Sequence, residues 1–175
     1  MPGLEALAAA GATLRSLPGR AIDRAQLSDA DALLVRSVTR VDEALLAGTP
    51  VRFVGTATSG TDHVVRGDLA RLGVAFADAA GANANAVVEY VLAVLASLGQ
   101  PLARLLAGGR VGIVGYGHVG RRLGARLDAL GVRWCATDPW LADGTIPRPA
   151  ALAEVLACDV VTLHCSLTDR APWPS

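Results

Sequence analysis

The chain has 175 residues, 52% of them of the AVILMFWYC kind, and its 16 basic and 16 acidic side chains cancel to a formal net charge of zero. A mean hydropathy of +0.41 excludes intrinsic disorder, because there is ample apolar surface to bury. With no basic cluster, and with Arg as its only basic residue type besides His, the chain is not expected to bind nucleic acid, and its length suits one ordinary domain or two small ones.

The opening stretch, MPGLEALAAAGATLRSLPGR, has no basic region ahead of its alanines and is interrupted by Glu5, so it does not read as a secretory leader. Residues 32–37 read as a strand, and a short helix follows over about 41–47. A second strand, rich in β-branched residues, covers 51–58 behind Pro50. A helix over 63–72 stops at Gly73, and a third strand covers 74–77. Asn83 or Asn85 then caps a long apolar helix to about Leu98. Its most apolar part, 86–98, carries Glu89 and as a helix reaches only about 20 Å, short of a bilayer core. A soluble protein with no membrane span is expected.

Residues 99–109, with Pro101 and a glycine pair, form the best linker and divide a unit over 1–100 from one over 108–175. Beyond the linker the pattern restarts: strand 111–114, helix 118–130, strand 132–137, helix 150–157, strand 159–164. The strands lack strict alternation and are separated by helices, as in parallel sheets covered on both faces. The expected class is α/β.

The most informative motif is Gly115-Tyr-Gly117-His118-Val119-Gly120, placed directly after an apolar strand and opening a helix. In this G-x-G-x-x-G the first glycine permits the tight turn and the second lets a pyrophosphate approach the backbone. The third lets the helix pack closely on the strand. Unpaired N–H groups at the helix start would face the phosphates. Asp138 lies 18 residues beyond Gly120, at the end of the next strand. There a carboxylate can bond the adenosine ribose hydroxyls and repel a 2′-phosphate, so NAD is expected rather than NADP. The plainer alternative makes Asp138-Pro139 a turn and the glycines mere packing. Arg121 and Arg122 suit either the pyrophosphate or a solvated helix face. His63, His118 and His164 have no metal-ligand spacing, and no metal is expected. Cys135, Cys158 and Cys165 form no CxxC and lie in or beside apolar runs, so they read as buried thiols in a reducing cytoplasm.

Two polar strand ends precede the linker: Arg36-Ser37-Val38-Thr39, and the run from Gly55 through Thr58 to His63. Hydroxyls and free N–H groups at the carboxyl ends of parallel strands suit an oxyanion ligand. Ordinary turn chemistry and helix capping account for the same residues.

The segments LLVRSVTRVDEALLAG, VRFVGTATSGTDHV, GANANAVVEYVLAVLASL and VGIVGYGHVGRRL, in this order, resemble the D-2-hydroxyacid dehydrogenases. Within that family they resemble the vitamin B6-pathway branch acting on 4-phospho-D-erythronate; the first two segments are specific to it. The resemblance runs from about Leu27 to Trp173. It implies a flavodoxin-like substrate lobe, the first half of a Rossmann fold, and NAD-linked oxidation of the substrate at C2 to a 2-oxo acid. By resemblance Ser37 and Thr58 contact substrate, while His118, Val119, Asp138 and Cys165 contact NAD. Where the family usually reads His-x-Pro-Leu, this chain has His164-Cys165-Ser166-Leu167.

The resemblance also implies what is missing. In the family an Arg holds the substrate carboxylate, a His accepts the hydroxyl proton, and a Glu raises the basicity of that His. All three belong downstream of residue 175, so no catalytic residue is expected within this chain. The family's opening strand is absent too, and only one β-α-β-α-β half of the nucleotide fold is present. The expectation is a chain clipped at both ends, marginally stable, aggregation-prone and inactive alone. A homodimer is expected of the complete family member. The competing readings are a non-catalytic NAD-binding module and a decayed product.

Overall fold

The computed structural model describes residues 2–165. The chain divides into two compact units, Met1–Ala79 and Ala80–Ser175.

The first unit begins with helix α1 (Pro2–Ala9) and two single 3₁₀ turns at Gly19–Ala21 and Ala25–Leu27. Strand β1 (Ala32–Val35), helix α2 (Glu43–Leu46), strand β2 (Phe53–Thr56), helix α3 (Arg66–Leu72) and strand β3 (Ala75–Asp78) follow. The three strands form a parallel sheet in sequence order, with Val35 level with Thr56 and Thr56 level with Asp78. Asp42 starts α2 by accepting a hydrogen bond from the Leu45 N–H at 3.2 Å. Gly73 ends α3 in the left-handed conformation, with φ of 70°. Leu33, Val35, Val54, Leu46 and Leu69 close one core beneath this sheet.

The expected helix over 63–72 starts three residues late, at Arg66. Val64 is held instead in a parallel bridge with Val41, through Val41 N–H to the His63 carbonyl and Val65 N–H to the Val41 carbonyl. Those backbone groups are therefore not available to a first helical turn. Strand β1 alternates buried and exposed residues, unlike a strand covered on both faces. Leu34, on its open face, is 50% exposed.

The second unit carries α4 (Ala84–Leu98), α5 (Gln100–Leu106), β4 (Arg110–Val114), α6 (His118–Ala129), β5 (Arg133–Thr137), α7 (Leu152–Leu156) and β6 (Val160–Leu163). Its sheet is parallel in the order β5-β4-β6, so β4 is central and both crossovers carry a helix. The β4 side chains alternate between two layers. Val111 and Ile113 join Leu123 and Leu127 of α6 and Val88 and Leu95 of α4. Val114 joins Cys135 and Val155 of α7 on the opposite face. This is an α/β arrangement of the Rossmann kind, with helices on both faces of its sheet.

The linker expected at 99–109 holds a helix instead. Gly99, at φ of 68°, turns the chain so that α4 and α5 meet at 101°. Pro101 stands in the first turn of α5, where its missing N–H costs nothing. Leu105 is 2% exposed and anchors that helix in the α6 core. Packing thus groups α4 with the second unit, where the sequence reading put it with the first. Among the described residues no single helix is long and apolar enough to cross a membrane.

A polar clasp closes the β5 side. The Asp128 carboxylate accepts from the Trp134 Nε1–H at 2.9 Å and from Arg148, whose guanidinium lies 4.9 Å over the Trp134 ring. Arg148 first, then Trp134, holds the Asp128 carboxyl below its ordinary range. A carboxyl whose pKa falls on folding adds stability above its unfolded pKa and loses it as pH drops through the folded value. Asp128→Asn is therefore expected to flatten the acid limb of stability. Urea midpoints recorded between about pH 6 and about pH 3, across the carboxylate range, should fall less in the variant than in the wild type.

Candidate functional site

Strand β4 ends at Val114 and the chain reverses within three residues into α6. Gly115 takes φ of 93° and donates its N–H to the Thr137 carbonyl at 2.8 Å, joining the turn to the end of β5. A Cβ on Gly115 would lie 2.6 Å from the Cys165 nitrogen and from the His164 carbonyl carbon. The end of β6 rests on this glycine, and the His164 N–H bonds the Val114 carbonyl at 2.7 Å. A Cβ on Gly120 would strike the Gly115 carbonyl oxygen, so α6 can approach the turn only without a side chain there.

Gly117 differs from both. It occupies the N-cap of α6, and a Cβ there would meet nothing within 4 Å. The first-turn N–H groups of His118, Val119 and Gly120 lack intrahelical acceptors and carry the positive end of the helix dipole. The glycine thus leaves open space beside a set of donors, which is what an approaching pyrophosphate requires. Asp138 follows β5 at the same end of the sheet. Its Oδ2 accepts from the Tyr116 N–H at 2.9 Å and its Oδ1 from the Trp140 N–H at 3.1 Å. Each oxygen keeps a further lone pair, so the carboxylate is oriented and still able to accept from a ribose hydroxyl. The residues present fit a dinucleotide.

Gly115, Gly117, His118, Val119, Gly120, Asp138 and Cys165 therefore gather at the carboxyl end of β4 and its neighbours. Val119 is half-buried against the α6 core, while Cys165 is exposed. Ser166, which stands where the His-x-Pro-Leu pattern has Pro, lies outside the described residues. The exposed His118 packs its ring against Gly81, where a Cβ would lie 2.7 Å from the imidazole carbon Cγ. Arg121 donates from Nε to the Tyr116 carbonyl at 3.2 Å and stands 5.6 Å over the Tyr116 ring. Arg122 bonds the His118 carbonyl at 3.2 Å.

Tyr116 is a residue that motif reading passes over. It is 5% exposed and stacks on Trp134 with centroids 5.7 Å apart. Burial pushes its phenol pKa up, so the turn rests on an uncharged aromatic base. Nothing in a G-x-G-x-x-G pattern specifies that variable position.

In the first unit Ser37 and Thr58 both leave the carboxyl edge of the sheet. Ser37 is exposed in the turn after β1, and Thr58 is half-buried after β2. The Thr58 hydroxyl donates to the Gly60 carbonyl at 2.8 Å and touches the Thr56 hydroxyl at 2.8 Å; Thr56 in turn meets His63 Nε2 at 3.0 Å. With its one proton on Gly60, Thr58 must accept from Thr56, and Thr56 must accept from a protonated Nε2. His63 is committed to holding hydroxyls in place. His164 is likewise engaged, with Nε2 2.9 Å from the Thr162 hydroxyl, and burial lowers its pKa. Among the described residues no group of three or more His, Cys, Asp and Glu side chains could hold a metal ion.

Residues 84–172 match the family described as the D-isomer specific 2-hydroxyacid dehydrogenase, NAD binding domain. The chain is 49% identical over 162 residues to an erythronate-4-phosphate dehydrogenase of Escherichia fergusonii, a match covering 91% of this chain and 43% of that protein. The chain thus spans under half the length of the curated relatives it matches. Among solved structures, NAD⁺-bound 3-phosphoglycerate dehydrogenase of Entamoeba histolytica superposes with a TM-score of 0.68 at 25% identity, over 83% of this chain and 49% of that one. D-lactate dehydrogenase of Aquifex aeolicus, complexed with NAD and lactic acid, reaches a TM-score of 0.75 at 18% identity, over 95% and 58%.

The glycine geometry separates folding from binding. Gly120→Ala should lower unfolding free energy by about 2 kcal/mol or more, as overpacking against backbone does. Gly117→Ala should cost less, about 1 kcal/mol, because the space is open and only the N-cap preference for glycine over alanine is lost. Urea denaturation of the two variants checks the contrast.

Proposed function

Because this chain belongs to the D-isomer specific 2-hydroxyacid dehydrogenase family, with the family's NAD-binding domain over residues 84–172, we propose that it is the binding portion of an NAD-dependent oxidoreductase acting on 4-phospho-D-erythronate. The single observation carrying this reading is the open backbone at Gly117, set between the α6 donors and the oriented Asp138 carboxylate. The erythronate-4-phosphate dehydrogenase name of the 49% identical relative supports the substrate.

In this reading the N–H groups of His118, Val119 and Gly120 hold the pyrophosphate. Asp138 accepts from the ribose hydroxyls, and its negative charge disfavours a 2′-phosphate. The Gly115 and Cys165 backbones border the dinucleotide where β6 ends. Bound NAD supplies a hydride acceptor for C2 of the substrate. Ser37 and Thr58 contact the phosphosugar acid from the carboxyl edge of the first sheet, with Thr58 braced through Thr56 and His63. Among the described residues we assign proton transfer to no imidazole: two are occupied with threonine hydroxyls and His118 lies against Gly81. The chain alone is accordingly expected to bind without turning over.

Fluorescence titration with NADH, with and without 4-phosphoerythronate, tests the proposal. Tighter NADH binding in the presence of the acid supports an enzyme portion. Saturable binding of NADH indifferent to the acid supports a non-catalytic NAD module, and no binding at all defeats both. Asp138→Ala should weaken NADH by about tenfold or more, the scale of a lost charged hydrogen bond. An unchanged affinity would remove the ribose role. Gly117→Ala should weaken NADH while costing less stability than Gly120→Ala.

A further inference from the structure

Cys135 sits in the middle of β5, 6% exposed, and Cys158 lies in the bend between α7 and β6, half-buried. Their sulfurs approach to 3.6 Å across 23 residues of sequence. The Cys158 thiol also faces the Glu154 carbonyl at 3.5 Å, so the shared proton between the sulfurs is the one Cys135 donates. Burial, and then the contact with Cys158, pushes the Cys135 thiol up to about 11. The Arg110 guanidinium stands near enough to the two sulfurs for Cys158, and then Cys135, to push its pKa up. The Arg110 backbone is itself fixed by the neighbouring Asp159 carboxylate at 2.9 Å. One sulfur is thus partly accessible and beside a cation; the other is enclosed and anchored in a strand.

We propose that Cys135 and Cys158 form an oxidation site at which a hydroperoxide converts the two thiols reversibly into an intrachain disulfide. The Cys158 thiolate attacks a peroxide oxygen, the O–O bond breaks, and the sulfur becomes a sulfenic acid. With hydrogen peroxide the departing hydroxide takes a proton and leaves as water. The Cys135 sulfur then attacks Cys158; the S–OH bond breaks, the S–S bond forms, and the hydroxide leaves as a second water with the Cys135 proton. Two thiols and one peroxide give one disulfide and two waters, a two-electron exchange. Closing the gap from 3.6 Å to bonding distance requires a shift of about 1.5 Å. Cys158 can supply it, because it stands in a bend and not in a ladder. The product ties the strand that leads to Asp138 to the entrance of β6, on the side of the sheet where Val114 and Val155 pack.

The test treats the 175-residue protein with hydrogen peroxide, alkylates the remaining thiols after denaturation, and maps the peptides by mass. A Cys135–Cys158 cross-link lighter by two hydrogen atoms, reversed by dithiothreitol, with Cys165 outside the cross-link, is expected. Cys158→Ser should slow oxidation of Cys135 on the order of tenfold or more, since the proximate partner is gone. Cys135→Ser should leave a Cys158 sulfenic acid that dimedone traps. Cys158 carried to sulfinic acid while Cys135 stays alkylatable would overturn the proposal, as would cross-links confined to Cys165. The map on the unsubstituted protein decides the matter even where a variant folds poorly.

Discussion

The second unit depends on one close approach, the contact of glycine backbone with glycine backbone where β4 turns into α6. Gly120 lies against the Gly115 carbonyl, and Gly115 lies against the His164 and Cys165 backbone. Neither contact leaves room for a methyl group. Three elements are drawn together by this: the central strand, the helix whose amino end would meet phosphate, and the end of β6. Gly112 repeats the device three residues earlier, within β4, where a Cβ would run into the Val155 carbonyl of α7. Close packing on both faces of β4 is bought with side chains omitted.

Around that approach the site is held mainly by hydrogen bonds to backbone. Thr137 accepts from Gly115, and Asp138 accepts from Tyr116 and Trp140. Asp138 therefore serves two ends, bracing the turn and, in the proposed function, receiving a ribose. A single carboxylate in both roles couples the order of the turn to occupancy of the site. The stacked Tyr116 and Trp134 rings lie beneath it, clamped by Arg121 and by the Asp128–Arg148 clasp. The first unit follows a different logic. Its carboxyl edge is ordered by a chain of side-chain bonds from His63 through Thr56 to Thr58 and on to Gly60. Each hydroxyl has one proton, so the chain has a direction, and it leaves the Thr58 oxygen fixed in place.

Alternating runs of apolar strands and amphipathic helices made the α/β class legible, because burial on a parallel sheet imposes that pattern whatever the detailed packing. The turn at Gly115 was legible for the same kind of reason: only glycine satisfies a positive φ and a close approach together. Helix α5 was not. Pro101 and the pair Gly108-Gly109 argue locally for a linker, yet Leu105 finds a buried place in the α6 core, and tertiary contact overrides local propensity. The start of α3 was missed likewise, since the Val41–Val64 bridge between distant segments claims the backbone groups that a helix would need.

The sequence by itself determined the fold class, the strand–turn–helix around Gly115, Gly117 and Gly120, and the acidic residue placed to follow the next strand. These depend on local backbone geometry and on apolar periodicity, both written within short windows. Only the tertiary structure decided which side chains meet across long separations. It brought Cys158 to Cys135, set His118 over Gly81, and put Tyr116 on Trp134. Such pairings depend on the register of strands and the rotation of helices. Those follow from how the whole core packs, and no short window of residues contains them.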